Sequence, residues 1–207
     1  GFWRKFNQRE NFPEIAGVGE DPARPGIMHR LDKLASGLLV IARTEDSFEN
    51  LKKQFQARTV TKQYTALAFG KFENEYGDID FPIARSSQGH KMAALPMTKN
   101  GEDNDDGRNA HTEFDVIKQY NKQILLKVVI KTGRTHQIRV HMAAYGHPLV
   151  GDDLYATKKT KVKNQKLQLG RIFLHAEKLE FDDLNGERQK FKLEMPEELK
   201  DFLKTVK

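Results

Sequence analysis

Residues 123–142 read QILLKVVIKTGRTHQIRVHM, and the change of pattern inside them decides the fold. From Ile124 to Ile130 the residues are bulky and mostly β-favouring, which predicts a strand over 123–131. Lys131 to Arg134 then brings a glycine among polar residues, and Thr135 to Tyr145 takes on helical spacing. That helix is expected to stop near Gly146, His147 and Pro148. At three residues apart, His136 and Arg139 point to one side, while Ile138 and Met142 point to another. One face can therefore pack while the other holds a cation toward a site. The junction itself favours anions, because free helix N-terminal amides gather there.

Outward from this junction the chain holds runs of strand-like stretches and a few separate helix-like ones. Strands are expected at 38–42, 60–69, 78–83, 90–95, 111–118, 171–181 and 189–194. Thr44, Glu45 and Asp46 start an amphipathic helix over 45–57, with Phe48, Leu51 and Phe55 on its apolar stripe. Pro196 opens a last helix that would bury Leu199, Phe202 and Leu203. Runs of strands with segregated helices predict an α+β fold with a mixed, largely antiparallel central sheet flanked by helices. Residues 1–25, broken by Pro13, Gly17, Gly19, Pro22 and Pro25, read as a leading segment. Residues 98–109 and 156–170 read as polar loops, the second crowded with lysines and free of acids. The expectation is one domain over 1–207.

Composition limits the function classes. Hydrophobic residues make up 38% of the 207 and charged residues 31%, an ordinary soluble globular balance. No apolar run approaches the roughly 18 residues of a membrane span, so no membrane is expected. The chain has no cysteine, which excludes disulfides and thiolate metal sites. A formal net charge of +6 suits a polyanion such as nucleic acid, and equally a basic protein without one.

Two further constellations carry chemistry. His29-Arg30-Leu31-Asp32-Lys33 precedes Ser36-Gly37 and an apolar run, which sets a carboxylate between cations at the rim of a sheet. Asp32 can act there as nucleophile or base, or simply cap the turn. Lys62, Tyr64 and Ala66 share one face of their strand, so Tyr64 offers either a ring for a base to stack on or a half-buried wall. A metal site is not expected, because His136 and His141 lie five apart on different helix faces and no carboxylate completes a set.

In this order, the three motifs resemble the RluA family of pseudouridine synthases. His29-Arg30-Leu31-Asp32 with Ser36-Gly37 is similar to the family's catalytic motif, and Lys62-Gln63-Tyr64-Thr65-Ala66 to its tyrosine strand. Gly133-Arg134-Thr135-His136-Gln137-Ile138-Arg139-Val140-His141, with Gly146-His147-Pro148 and Gly151-Asp152, resembles its arginine motif. Leu174-His175-Ala176 resembles the late strand that closes the pocket. The match runs from about residue 26 to 195. It departs from the family pattern at Ala35, where Thr is usual, and no Asn-Lys-Pro strand or S4-type domain accompanies it.

The resemblance implies a pseudouridine synthase fold and isomerisation of a uridine in structured RNA, ribosomal most of all or transfer RNA, without cofactor or metal. It implies Asp32 as the catalytic carboxylate, Tyr64 against the base, Arg139 paired with Asp32, and Leu174 beside the base. His29, Arg30, Lys62, Arg134 and His136 would contact the RNA. A monomer in the cytoplasm is expected. Two alternatives remain at this point. One is an RNA-binding module descended from a synthase. The other is a glycosidase-like hydrolase, which would need Asp152 as a second carboxylate, whereas the expected job of Asp152 is structural, holding the turn after Gly151.

Overall fold

The computed structural model of the protein describes residues 17–207, apart from 88, 90, 100, 101 and 105. The first part of the leading segment, 1–16, thus lies outside the described residues, and 17–25 is turn and bend. Among the described residues no helix is long and apolar enough to cross a membrane.

The apolar run of the opening stretch forms a strand, Gln123–Ile130, inside a seven-stranded sheet. Numbered in chain order, the strands are β1 (Ser36–Gly37), β2 (Thr61–Phe69), β3 (Tyr76–Ile79), β4 (Ile83–Arg85), β5 (Met92–Ala94), β6 (Thr98–Lys99), β7 (Glu102–Asp103), β8 (Thr112–Gln119), β9 (Gln123–Ile130), β10 (Leu174–Asp182) and β11 (Arg188–Lys192). The main sheet runs β1-β10-β2-β9-β8-β3, with β11 also paired to β10. Only β1 pairs in parallel, and every other pair is antiparallel. The expected mixed, largely antiparallel sheet is therefore present. Its centre is β2, buried without a break from Tyr64 to Phe69.

Four helices are described: α1 (Glu45–Ala57), α2 (Gln137–Ala144), α3 (Lys158–Leu167) and α4 (Glu197–Thr205). Thr44 caps α1, and Phe48 and Leu51 bury against Ala42 and Phe181 as the spacing predicts. Leu199 on α4 is fully buried among Leu67, Phe69 and Phe173, a burial that contributes about 2 kcal/mol. The main core lies on α2's side of the sheet, where Ile138 and Met142 meet Ala66, Leu126 and Ile172.

Four expectations need correction. The run 38–42 is not a strand. Its amides find scattered partners instead of a ladder: Leu38 donates to Ala176 O, Val40 to the His29 ring, and Ala42 to Gly26 O. The stretch 78–83 is split, because Pro82 has no N–H for a ladder; β3 ends at Ile79, and β4 starts a separate hairpin with β5. The polar segment 98–109 carries a short β6–β7 pair.

The fourth concerns 156–170, which holds α3 and not a loop. Thr157 caps it, and its buried positions are the polar Thr160 and Asn164. Asn164 accepts from Gly151 N at 2.9 Å and donates to Asp153 at 2.9 Å. A helix seated by side-chain amide bonds leaves no hydrophobic period to read.

Gly37 fixes the place of the first chemical motif. Its φ is +125°, and a Cβ there would stand 2.3 Å from Ala176 O across the β1–β10 pair. Gly37→Ala is expected to cost about 3 kcal/mol in chemical denaturation, because β1 must leave β10. A stability equal to the parent's would contradict this account of β1.

Candidate active site

Asp32 stands in the turn that leads into β1, where Ala35 N donates to Asp32 O at 3.0 Å. Ser36 then locks onto β10: its hydroxyl lies 2.9 Å from His175 Nδ1, and His175 Nε2 lies 3.0 Å from Leu193 O. A ring that donates from Nε2 accepts at Nδ1, so the Ser36 hydroxyl is the donor there. These bonds hold the Asp32 turn over the start of β10.

The second motif arrives from the opposite wall. The loop between β9 and α2 is stapled by Gln137, which is almost wholly buried. Its carbonyl oxygen accepts from Thr132 Oγ1 at 2.6 Å and Arg134 N at 3.0 Å, and its amide nitrogen donates to His111 O and Thr112 Oγ1, both at 2.9 Å. From the first turn of α2, Arg139 reaches Asp32, with Nη1 3.3 Å from Oδ2.

Arg139 has a second carboxylate. Its Nε lies 2.7 Å from Asp152 Oδ2 and its Nη2 3.0 Å from Asp152 Oδ1, a bidentate pair with both side chains buried. Burial works against the guanidinium charge, but the bond to Asp152 and the charges of Asp152 and Asp32 outweigh it and raise the Arg139 pKa. Asp152 also accepts from the backbone N–H of Leu154 and Tyr155. The ring of Tyr155 lies under the Arg139 guanidinium, 5.0 Å from its centre.

Asp32 opens on a cleft of about 600 Å³. Eight of the nine residues singled out from the sequence line it: His29, Arg30, Asp32, Lys62, Tyr64, Arg134, His136 and Leu174. Arg139, the ninth, stands behind Asp32 and not on the cleft wall.

Each wall residue has a distinct state. Tyr64 is nearly buried, and burial, then the charge of Asp32, pushes its phenol above the ordinary range. It is a ring with a firmly held proton. Lys62 is 7% exposed, its ammonium meets only Thr132 O at 3.4 Å and the Phe55 ring, and no carboxylate among the described residues bonds it. Burial, with Arg134 and Arg58 nearby, pulls its pKa down to about 8. Arg134 is tied to Asn109 O at 3.0 Å, and Arg30 is exposed.

His29 is committed to the fold. Its Nε2 accepts from Val40 N at 3.0 Å, its ring stacks on Phe55, and burial followed by Lys62 pushes its pKa down to about 4. His136 Nε2 faces Asp32 Oδ1 at 3.9 Å. Helical spacing is not what aligns it with Arg139. His136 precedes α2 in a left-handed conformation, φ 57°.

Gln137, Asp152 and Tyr155 matter here beyond what their sequence suggested. Gln137 and Asp152 lay inside quoted motifs, but nothing in spacing assigns Asp152 to Arg139 across thirteen residues. Tyr155 carried no signal. Asp152, 1% exposed and bound to Arg139, does not face the cleft, so the hydrolase alternative loses its second carboxylate.

Known proteins resemble this chain in sequence and in fold. Residues 5–144 match the family described as RNA pseudouridylate synthase. An uncharacterized RNA pseudouridine synthase of Aquifex aeolicus is 43% identical over 196 residues, which cover 92% of this chain and 58% of that protein. The ribosomal large subunit pseudouridine synthase D of Zymomonas mobilis is 36% identical over 196 residues, 93% of this chain and 59% of that protein. The chain thus spans less than two thirds of the length of these relatives. Among solved structures, human RNA pseudouridylate synthase domain containing 1 superposes with a TM-score of 0.69 at 28% identity, over 81% of this chain and 68% of that one. With the motifs, the sheet and this match over two thirds of its residues in hand, the chain belongs to the RNA pseudouridylate synthase family.

Proposed function

We propose that this domain isomerises a uridine to pseudouridine in structured RNA, with Asp32 as the catalytic carboxylate and no cofactor. The observation that carries the reading is the cleft in which Asp32, fixed by Arg139, faces Tyr64 and Leu174. A carboxylate held by a guanidinium is charged, oriented and ready at the ribose without reorganisation. Asp32 attacks or deprotonates the sugar, and the N1–C1′ bond breaks. The freed uracil turns against Tyr64 and Leu174, and C5 bonds to C1′ as the bond from Asp32 to C1′ breaks or, in the deprotonation route, as Asp32 returns the proton to the sugar. The C5 hydrogen leaves as a proton, and N1 takes one up. Atoms balance within the nucleotide and solvent, so no oxidant or reductant is consumed.

A uridine stacked in a helix cannot enter this cleft, so the nucleotide is extruded. Arg30, exposed at the mouth, is placed to meet a phosphate or fill the gap left behind. Ribosomal RNA is the preferred substrate in this reading, supported by the name of the Zymomonas mobilis relative, with transfer RNA second. The domain acts as one cytoplasmic subunit.

Tritium release from [5-³H]uridine in ribosomal and transfer RNA transcripts tests the reading. Release from one class is expected, and none from either would overturn it.

Lys62 gives this reading a pH signature. An ammonium with a native pKa of about 8, against 10.5 when exposed, is a cost at neutral pH. The sign follows from proton counts. Between those values the unfolded chain binds more protons, so stability rises as pH climbs from about 8 to 10.5. An RNA phosphate would repay the charge. Lys62→Met is therefore expected to raise stability at pH 7 by about 2 kcal/mol and weaken RNA binding at least tenfold. Affinity of the parent, read by filter binding, should fall above pH 8 and that of the variant should not. Matching pH profiles would count against Lys62 as a phosphate contact.

A further inference from the structure

His136 holds a left-handed backbone, φ 57°, which is uncommon for a residue with a Cβ. That conformation aims both ring nitrogens. Nδ1 lies 2.8 Å from the Tyr155 hydroxyl, and Nε2 faces Asp32 Oδ1.

The proton positions follow from one donor. Met92 N–H donates to the Tyr155 oxygen at 3.0 Å. An amide N–H can only donate, so the phenol proton is free to go to His136 Nδ1. The reverse arrangement, with Nδ1–H donating to the phenol, would strand the phenol proton. It would also aim the Nε2 lone pair at a carboxylate oxygen. Asp32 Oδ2 is already taken by Arg139 Nη1, which leaves Oδ1 as the oxygen that faces His136.

We propose that the chain Met92 N–H, Tyr155 hydroxyl, His136 ring fixes His136 as a neutral Nε2–H donor to Asp32 Oδ1. His136 and Arg139 then hold one carboxylate oxygen each, and Tyr155 is a positioning residue that acts through His136. The kinetic part rests on the isomerase reading. At 3.9 Å the contact lies outside hydrogen-bond range, as catalytic contacts often do before substrate excludes water.

The surroundings keep the ring neutral. Burial lowers its affinity for a proton, Asp32 and Asp152 pull the other way, and Arg139 and Arg30 repel the charge. These charges come from three places: Arg30 and Asp32 from the loop before β1, Arg139 from α2, and Asp152 from the loop before α3. A neutral donor orients Asp32 without cancelling its charge. A protonated ring would form an ion pair and blunt it.

Two readouts on the intact chain test the proposal. The first is ¹⁵N NMR of the histidine rings across pH, with the His136 signal assigned through His136→Gln. The parent should hold the Nε2–H tautomer and titrate below the ordinary 6.5. In Tyr155→Phe, which keeps the ring under Arg139, the midpoint should rise and the tautomers mix. An Nδ1–H tautomer in the parent, or an unmoved titration in the variant, overturns the proposal whether or not the protein isomerises uridine.

The second is the pH profile of single-turnover tritium release. Tyr155→Phe should shift the acid limb upward and slow the rate several-fold. His136→Gln, whose amide N–H reaches toward the Nε2 position, should retain at least tenfold more rate than His136→Leu. Coincident acid limbs in parent and Tyr155→Phe, or equal rates in the two His136 variants, overturn it. A parent without any release would instead sink the isomerase reading and leave the NMR result to decide the tautomer.

Discussion

Asp32→Asn is expected to cut single-turnover tritium release by about four orders of magnitude while RNA binding stays within about twofold of the parent. The amide has the shape of the carboxylate and can still accept from Arg139, so cleft and fold survive. What goes is the charge that attacks or deprotonates the ribose. Thermal stability should stay close to the parent's, because Asp32 lies at the cleft surface and its partner Arg139 keeps Asp152. A variant that still releases tritium at a tenth of the parent's rate would mean that another group does the chemistry. Loss of RNA binding in step with activity would mean that Asp32 serves the complex and not the reaction.

Asp152→Asn should behave in the opposite way, as a variant that loses fold and activity together. Four N–H groups converge on this carboxylate, two from Arg139 and one each from Leu154 and Tyr155. Asparagine offers one oxygen and turns an N–H₂ toward some of those donors. It also leaves the buried Arg139 charge to Asp32 alone. Breaking a buried pair from one side costs about 3–5 kcal/mol, and for a chain of this size that lowers Tm by about 10 °C. Assayed below its own transition, the variant should still be slower by about 100-fold, because an unanchored guanidinium no longer fixes Asp32. A Tm within 2 °C of the parent's would contradict the reading of Asp152 as the anchor.

These two carboxylates also mark what the sequence could and could not tell. Asp32 was legible because its motif is local: the acid, the flanking cations and the Ser-Gly turn follow one another, and β1 needs Gly37 for its approach to β10. Asp152 was visible as part of a motif, and its hold on the turn after Gly151 is present in its bonds to Leu154 N and Tyr155 N, but its pairing with Arg139 was not legible. The pairing with Arg139 is made by the way the loop after Leu149 folds back on α2, and spacing does not encode that.

The same difference runs through the fold. The strands at 60–69, 111–118 and 123–131 were legible because they are long and bulky. The helix 45–57 was legible because its apolar stripe and Thr44 cap are both local. The helix Lys158–Leu167 was not, since Thr160 and Asn164 seat it through hydrogen bonds. The apolar run 38–42 misled in the other direction. Its residues are partly or wholly buried, but the amide of Val40 is taken by a side chain, His29, where a strand would have a neighbour. His29 itself read as a contact for RNA, and its Nε2 turns out to be used inside the fold. His136 and Arg139 were grouped for their helical spacing. They meet at Asp32 because the helix begins one residue after His136 and the left-handed turn swings the imidazole toward the carboxylate.

The most direct measurement is a nucleoside balance on RNA incubated with the protein and a metal chelator, then digested and separated. Each uridine lost should reappear as one pseudouridine, with no free uracil, and Asp32→Asn should leave the RNA unchanged. Free uracil in place of pseudouridine, or product formation that survives Asp32→Asn, would contradict an isomerisation carried by this carboxylate.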